Sequence, residues 1–149
     1  MVTDLLGPSL EDLFNLCGDK FSLKTTLIVF LQVLERVEFM HGKKYIHRDI
    51  KPDNMMMGLF EESNTLHMID FGLTRLVVDQ KTGDHIPFTT GKNLIGTCRY
   101  VSLNSHMGYE LSRRDDLITV GYVMINLLKG SLPWQGINTN RPSARYRRV

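Results

Sequence analysis

One short stretch of this chain gathers the residue types needed to handle a phosphate. His47-Arg48-Asp49-Ile50-Lys51-Pro52-Asp53-Asn54 sets a carboxylate, an ammonium and an amide within eight positions, and Asp70-Phe71-Gly72 adds a second carboxylate soon after. Asp49 can accept the proton of an attacking hydroxyl. Lys51, two residues on, can neutralise charge on a phosphoryl group in transfer. The amide oxygen of Asn54 and the carboxylate of Asp70 are hard oxygen donors of the kind Mg2+ takes while keeping several waters. Phosphoryl transfer asks a protein mainly for positioning and charge neutralisation. Gly72 lets the backbone turn directly after Asp70. Asp-Phe-Gly alone recurs by chance. The eight-residue run does not recur easily, and the two in this order at short range are more specific still. The competing reading is a salt-bridged surface loop beside an unrelated glycine turn.

These groups need elements to hold them. Leu5-Leu6-Gly7-Pro8-Ser9 reads as an extended piece ending in a turn, with Ser9 as the cap of a short helix through Leu16 and Glu11 and Asp12 in its first turn. Residues 22–41 form the clearest helix. Leu23, Leu27, Phe30, Leu34 and Val37 recur at helical spacing and are expected to face the core, with Ser22 capping and Gly42 ending the element. From Tyr45 to Asp79, short apolar runs (Asn54–Gly58, Leu66–Ile69) alternate with polar and glycine-bearing pieces, which suggests short strands and tight loops. In Met55-Met56-Met57 the outer two are expected to be core residues. Residues 79–104 have little periodicity, and a loop that long is usually functional or disordered. Residues 115–129 read as a helix buried on most sides, and Ser131-Leu132-Pro133-Trp134 turns away from it.

Composition narrows the classes. The chain has 149 residues, 42% hydrophobic and 23% charged, which indicates one globular domain or a piece of one. Net charge is +2, and Arg141, Arg145, Arg147 and Arg148 crowd the last nine residues, so the rest is slightly acidic. A uniformly basic surface for nucleic acid is not indicated, and binding through the arginine-rich end ranks last among the readings. Cys17 and Cys98 form no disulfide framework. The five histidines show no zinc-ligand spacing, and His47 reads as a packing residue of the Asp49 loop. No secretory signal or spanning segment is evident, so a cytoplasmic or nuclear location without membrane partners is expected.

The His47–Asn54 run matches H-R-D-x-x-x-x-N, and with Asp70-Phe71-Gly72 it resembles the catalytic motifs of protein kinases. Further strings are similar to the casein kinase I family: Leu5-Leu6-Gly7-Pro8-Ser9-Leu10-Glu11-Asp12-Leu13-Phe14, Met57-Gly58-Leu59, Gly96-Thr97, Arg99-Tyr100, Ser102-Leu103-Asn104, Ser112-Arg113-Arg114-Asp115-Asp116-Leu117 and Gly130-Ser131-Leu132-Pro133-Trp134-Gln135-Gly136. The resemblance implies an α+β kinase-like fold, chiefly its helical C-terminal lobe with short strands, over residues 1–149. It implies a serine/threonine kinase that uses ATP and Mg2+, with Asp49 and Lys51 catalytic and Asn54 and Asp70 on the metal. The backbone of Asp4 and Leu6 would meet the adenine, with Met56 and Ile69 against its face. Lys92, Arg99 and Arg145 would form the anion site for acidic or phosphorylated protein substrates, Arg145 standing where a lysine is usual. Asp116 is similar to the buried acid that braces the catalytic loop, although it can equally cap the helix that follows. Thr74, Thr82, Thr89 and Thr90 read as polar loop residues.

No Gly-rich loop, lysine-bearing strand or partnering glutamate of the phosphate-covering N-terminal lobe lies in this sequence. The expectation is therefore a partial domain that catalyses as part of a longer chain. The alternative is an inactive kinase lobe that binds acidic or phosphorylated partners. That reading needs Lys92 and Arg99 but not Asp49.

Overall fold

A computed structural model describes residues 3–136. Ser9 opens helix α1 (Leu10–Leu16) with a reciprocal cap: its side chain accepts from the Asp12 amide, and the Asp12 carboxylate accepts from the Ser9 amide. Such a cap contributes about 1 kcal/mol. Helix α2 (Leu23–Gly42) starts at Ser22, as the sequence indicates. Strand β1 (Tyr45–Ile46) follows, then a 3-10 turn at Pro52–Asn54, β2 (Met55–Met57), β3 (Leu66–Met68) and β4 (Arg75–Leu76). β1 pairs antiparallel with β4, and β2 with β3 in the register Met55–Met68, Met56–His67, Met57–Leu66. Residues 77–102 form no regular element. Helix α3 (Leu103–His106) and the long α4 (Arg113–Lys129) complete the described fold. Asp115 and Asp116 in the first turn of α4 and Lys129 in its last suit the helix dipole. Gly130 ends α4 at φ +86°, where an added Cβ would press on the Asp19 carbonyl.

One core joins these pieces. Val29, Val33 and Val37 of α2 and Val120, Val123 and Leu127 of α4 meet Leu10, Phe14, Ile50, Met55 and Leu66. The Phe21 amide donates to the Leu127 carbonyl, and Arg113 Nε to the His41 carbonyl, so α2 and α4 run antiparallel. Met55 is fully buried and Met57 packs on the core, as expected.

Two expectations about helix faces need correction. Leu23 and Leu27 are half exposed or more; the inward face of α2 is Thr26, Val29, Val33 and Val37, with Phe30 and Leu34 at its margin. Polar bonds set this roll. Gln32 accepts from the Leu66 amide at 2.9 Å and donates to the Asn64 carbonyl at 3.0 Å, and Arg36 Nε donates to the Leu66 carbonyl at 3.2 Å. Those bonds turn Gln32 and Arg36 toward β3 and roll the leucines outward. Helix α4 is likewise buried over one arc only, and Leu117, Ile118 and Ile125 are exposed.

Candidate active site

The site forms where the loop after β1, the segment after β3 and the long irregular stretch converge on the first turn of α4. Asp116 anchors it. Buried in α4, it accepts from the backbone amides of His47 at 2.8 Å and Arg48 at 2.9 Å, and its Oδ2 lies 2.9 Å from His41 Nε2. Asp116 therefore braces the Asp49 loop. The cap of α4 is made by Asp115, which accepts from the Ser112 amide. Arg48 has φ +70° and Asp70 has φ +59°, a left-handed backbone that costs energy in residues other than glycine and persists only where the surroundings enforce it. Asp116 supplies that enforcement at Arg48.

His47 is fully buried. Its Nδ1 accepts from the Asp49 amide at 3.3 Å, which leaves Nε2 protonated toward the Ile69 carbonyl, also at 3.3 Å. Burial holds its pKa below the ordinary histidine value, against the pull of Asp116 and the Ile69 carbonyl, so the ring is neutral at pH 7. The ring also packs on Phe71 at 5.5 Å between centroids. The packing residue expected from sequence thus ties the Asp49 loop to the Asp70 segment.

Asp49 is buried and ringed by donors. Its Oδ1 accepts from the Thr97 hydroxyl at 2.7 Å and the Thr97 amide at 2.9 Å. Its Oδ2 lies 3.0 Å from Lys51 Nζ and 3.3 Å from Asn54 Nδ2. Burial pushes this carboxyl upward. The Thr97 hydroxyl, the Lys51 ammonium and the Thr97 amide together outweigh burial, so the pKa stands below the usual aspartate value and the group is ionised at neutral pH. Asn54 also spends Nδ2 on the Asp49 carbonyl at 2.9 Å. Among the described residues nothing donates to its Oδ1, which stays available as a hard oxygen. Asp70 is exposed and gives one oxygen to the Gly72 amide at 3.2 Å, leaving the other open. No group of three His, Cys, Asp or Glu among the described residues is placed to hold a metal by itself. One amide oxygen and one carboxylate suit Mg2+ that completes its shell with phosphate oxygens and water.

The expected adenine contacts lie around the β2–β3 ribbon. The Gly7 amide donates to the Met57 carbonyl and the Met57 amide to the Pro8 carbonyl, laying the chain around Leu6 along β2. Alternation puts Met55, Met57 and Met68 toward the core and Met56 on the opposite face, shared with Ile69 just past β3. Asp4 is exposed.

The expected anion residues are not gathered at one point. Lys92 Nζ pairs with Glu110 at 3.2 Å. Arg99 lies against the Tyr100 ring, donates to its hydroxyl, and is drawn by Glu11 and Asp53. The two share no partner, and Arg145 lies outside the described residues.

Sequence reading passed over Thr97 as a site residue, and it did not single out Arg75 or Glu110. Gly96, at φ +93°, lets Thr97 reach Asp49, since a Cβ there would collide with the Arg48 carbonyl and Val101. The Gly96-Thr97 pair was the available signal. Arg75 and Glu110 carry none.

The chain matches the family model for the protein kinase domain over residues 1–148. It belongs to the protein kinase family. ATP and a divalent metal are the general requirements of that family, and a protein is its substrate. The antiparallel helices and short strands described above are compatible with part of such a domain. Among the described residues no helix of this kinase chain is long and apolar enough to cross a membrane.

Proposed function

We propose that this chain carries the catalytic loop and activation segment of a serine/threonine kinase of casein kinase I type. It would move the γ-phosphoryl group of ATP to serine or threonine in acidic or already phosphorylated proteins. A phosphate-covering lobe elsewhere in a longer chain would complete the site. The observation that carries the reading is the environment of Asp49, a buried carboxylate kept ionised and aimed by Thr97, Lys51 and Asn54. Ionised, it takes the hydroxyl proton of the substrate as the phosphoryl group leaves. Lys51 meets the charge that develops on the transferred group. Asn54 Oδ1 and the open Asp70 oxygen would hold a magnesium ion, which would supply positive charge to neutralise the ATP phosphates. Met56 and Ile69 offer an apolar wall for the adenine, beside the backbone of Asp4 and Leu6. Lys92, Arg99 and Arg145 would each supply a positive charge that favours anionic substrates. Lys92 has further N–H donors beyond the one it gives Glu110.

The test is phosphate incorporation from ATP into a phosphoserine-primed peptide, an acidic peptide and a neutral one, by a protein containing residues 1–149. The primed and acidic peptides should be preferred, and Asp49→Asn should abolish transfer without lowering the melting temperature by more than a few degrees. Equal rates on the neutral peptide would remove the casein kinase I assignment. Transfer that survives Asp49→Asn would remove the base.

A further inference from the structure

The roll of α2 leaves a second apolar stripe on its outer side. Leu23, Leu27, Ile28, Leu31 and Phe39 are each exposed by half or more, Leu31 at 63%. Helical spacing sets them opposite the buried Val29, Val33 and Val37. Single apolar residues on a surface are ordinary, but a contiguous stripe of large ones marks an interaction surface. Beside the stripe runs a groove of about 480 Å3, lined by Leu34, Val37, Glu38 and His41 of α2 and by Arg113 and Leu117 of α4.

The stripe is symmetric about Leu31. Three positions to either side stand Ile28 and Leu34, seven to either side Lys24 and Glu38, and eight to either side Leu23 and Phe39. In two antiparallel α2 helices related by a two-fold axis at Leu31, each residue faces its symmetry position. Leu31 then meets the partner's Leu31. Leu34, on the lip of the groove, meets the partner's Ile28, and Leu23 meets the partner's Phe39. Lys24 meets the partner's Glu38, twice over. Both charges are exposed, and among the described residues neither has an ion partner. Glu35 falls opposite the partner's Leu27, and its charge is answered on its own helix by Arg36 at 3.1 Å. A parallel pairing in register would set Lys24 against Lys24 and Glu38 against Glu38, so charge selects the antiparallel arrangement.

We propose that the outer face of α2 is a self-association surface, and that its occupant is a second copy of this chain packed antiparallel about Leu31. The proposal is independent of the proposed phosphoryl transfer, since none of the facing residues belongs to the groups around Asp49.

Sedimentation equilibrium of the 149-residue chain tests it, alongside Leu31→Glu, Lys24→Glu, Glu38→Lys and the double variant Lys24→Glu with Glu38→Lys. The wild type should pass from one to two chain masses as concentration rises and stop there. Leu31→Glu sets two carboxylates against each other at the axis and should weaken association by roughly a hundredfold or more. Each single charge reversal should weaken it by roughly tenfold, because the axis counts it twice. The double variant exchanges the two charges and should recover most of that loss. A wild type that stays monomeric overturns the proposal. A monomer whose melting temperature falls by several degrees in Leu31→Glu overturns it and assigns the face to a segment of the same chain. Association that continues past two copies, or that ignores Leu31→Glu, overturns it and assigns the contact to another surface. A double variant as weak as the single reversals overturns the arrangement about Leu31. Should Leu31→Glu fail to fold, the three charge variants decide alone, because both positions are exposed.

Discussion

At the scale of single residues, the charge state of Asp49 decides what the site can do. Its pKa is held below the ordinary aspartate value because the donors around it outweigh burial. The sign follows. The base proposed at Asp49 works deprotonated, so the acidic limb of kcat/KM for the proposed phosphoryl transfer should lie below the usual aspartate range. Removing a donor raises the folded pKa and moves the limb to higher pH. Thr97→Val deletes the 2.7 Å hydroxyl contact and keeps the 2.9 Å amide contact. The limb should shift upward in that variant while remaining a single titration; an unmoved limb would show that Thr97 does not tune the base. The same depression stabilises the fold above the unfolded aspartate pKa, and that contribution is lost as pH falls through the lower folded value. Asp49, Lys51 and Asn54 were legible in the sequence because six positions contain all three. Thr97 was not, because it lies 48 residues from Asp49 and only the fold closes that distance. Asp116 is intermediate: its chemistry was visible, but the choice between bracing and capping turned on which carboxylate Ser112 would engage, and that was Asp115.

At the scale of elements, the roll of α2 shows how far hydrophobic periodicity carries. The helix and its Ser22 start follow from spacing and capping chemistry, which act within a few residues. The buried face does not, because Leu23 and Leu27 satisfy the same period as the valines beside them. The choice came from Gln32 and Arg36, whose bonds to Asn64 and Leu66 span 30 residues or more. A direct test compares two substitutions. Val33 is fully buried in the core, so Val33→Ala should cost about 1–3 kcal/mol, the range for deleting buried methyl groups. Leu27 is half exposed, so Leu27→Ala should stay within about 0.5 kcal/mol despite removing a larger side chain. Denaturant midpoints with equal m-values would read both differences. The reverse order of costs would restore the leucine face to the core.

At the scale of the whole molecule, the proposed catalytic groups hang from a single apolar cluster rather than from separate units. Ile50 and Met55, which flank the Lys51–Asn54 run, belong to the same core as Leu127 of α4 and Phe14 of α1. The irregular stretch is tied in as well: Tyr100 lies in that core, and Trp134 Nε1 donates to the Arg99 carbonyl at 2.8 Å while its ring meets Tyr122 of α4 at 4.9 Å between centroids. Trp134 is the only tryptophan, so its fluorescence reports the seam between the irregular stretch and α4. Separate folding of the helices and the loop region would need a break in this cluster, and the described residues show none. Thermal unfolding followed by tryptophan emission and by far-ultraviolet circular dichroism should therefore give coincident transitions. Leu127→Ala, which opens a cavity in that cluster, should lower both midpoints together, at a cost of about 2–5 kcal/mol. If the tryptophan signal melted first, with the helical signal unmoved, the irregular stretch would be an independently mobile unit. The ordered approach of Thr97 to Asp49 would then need an outside partner to hold it.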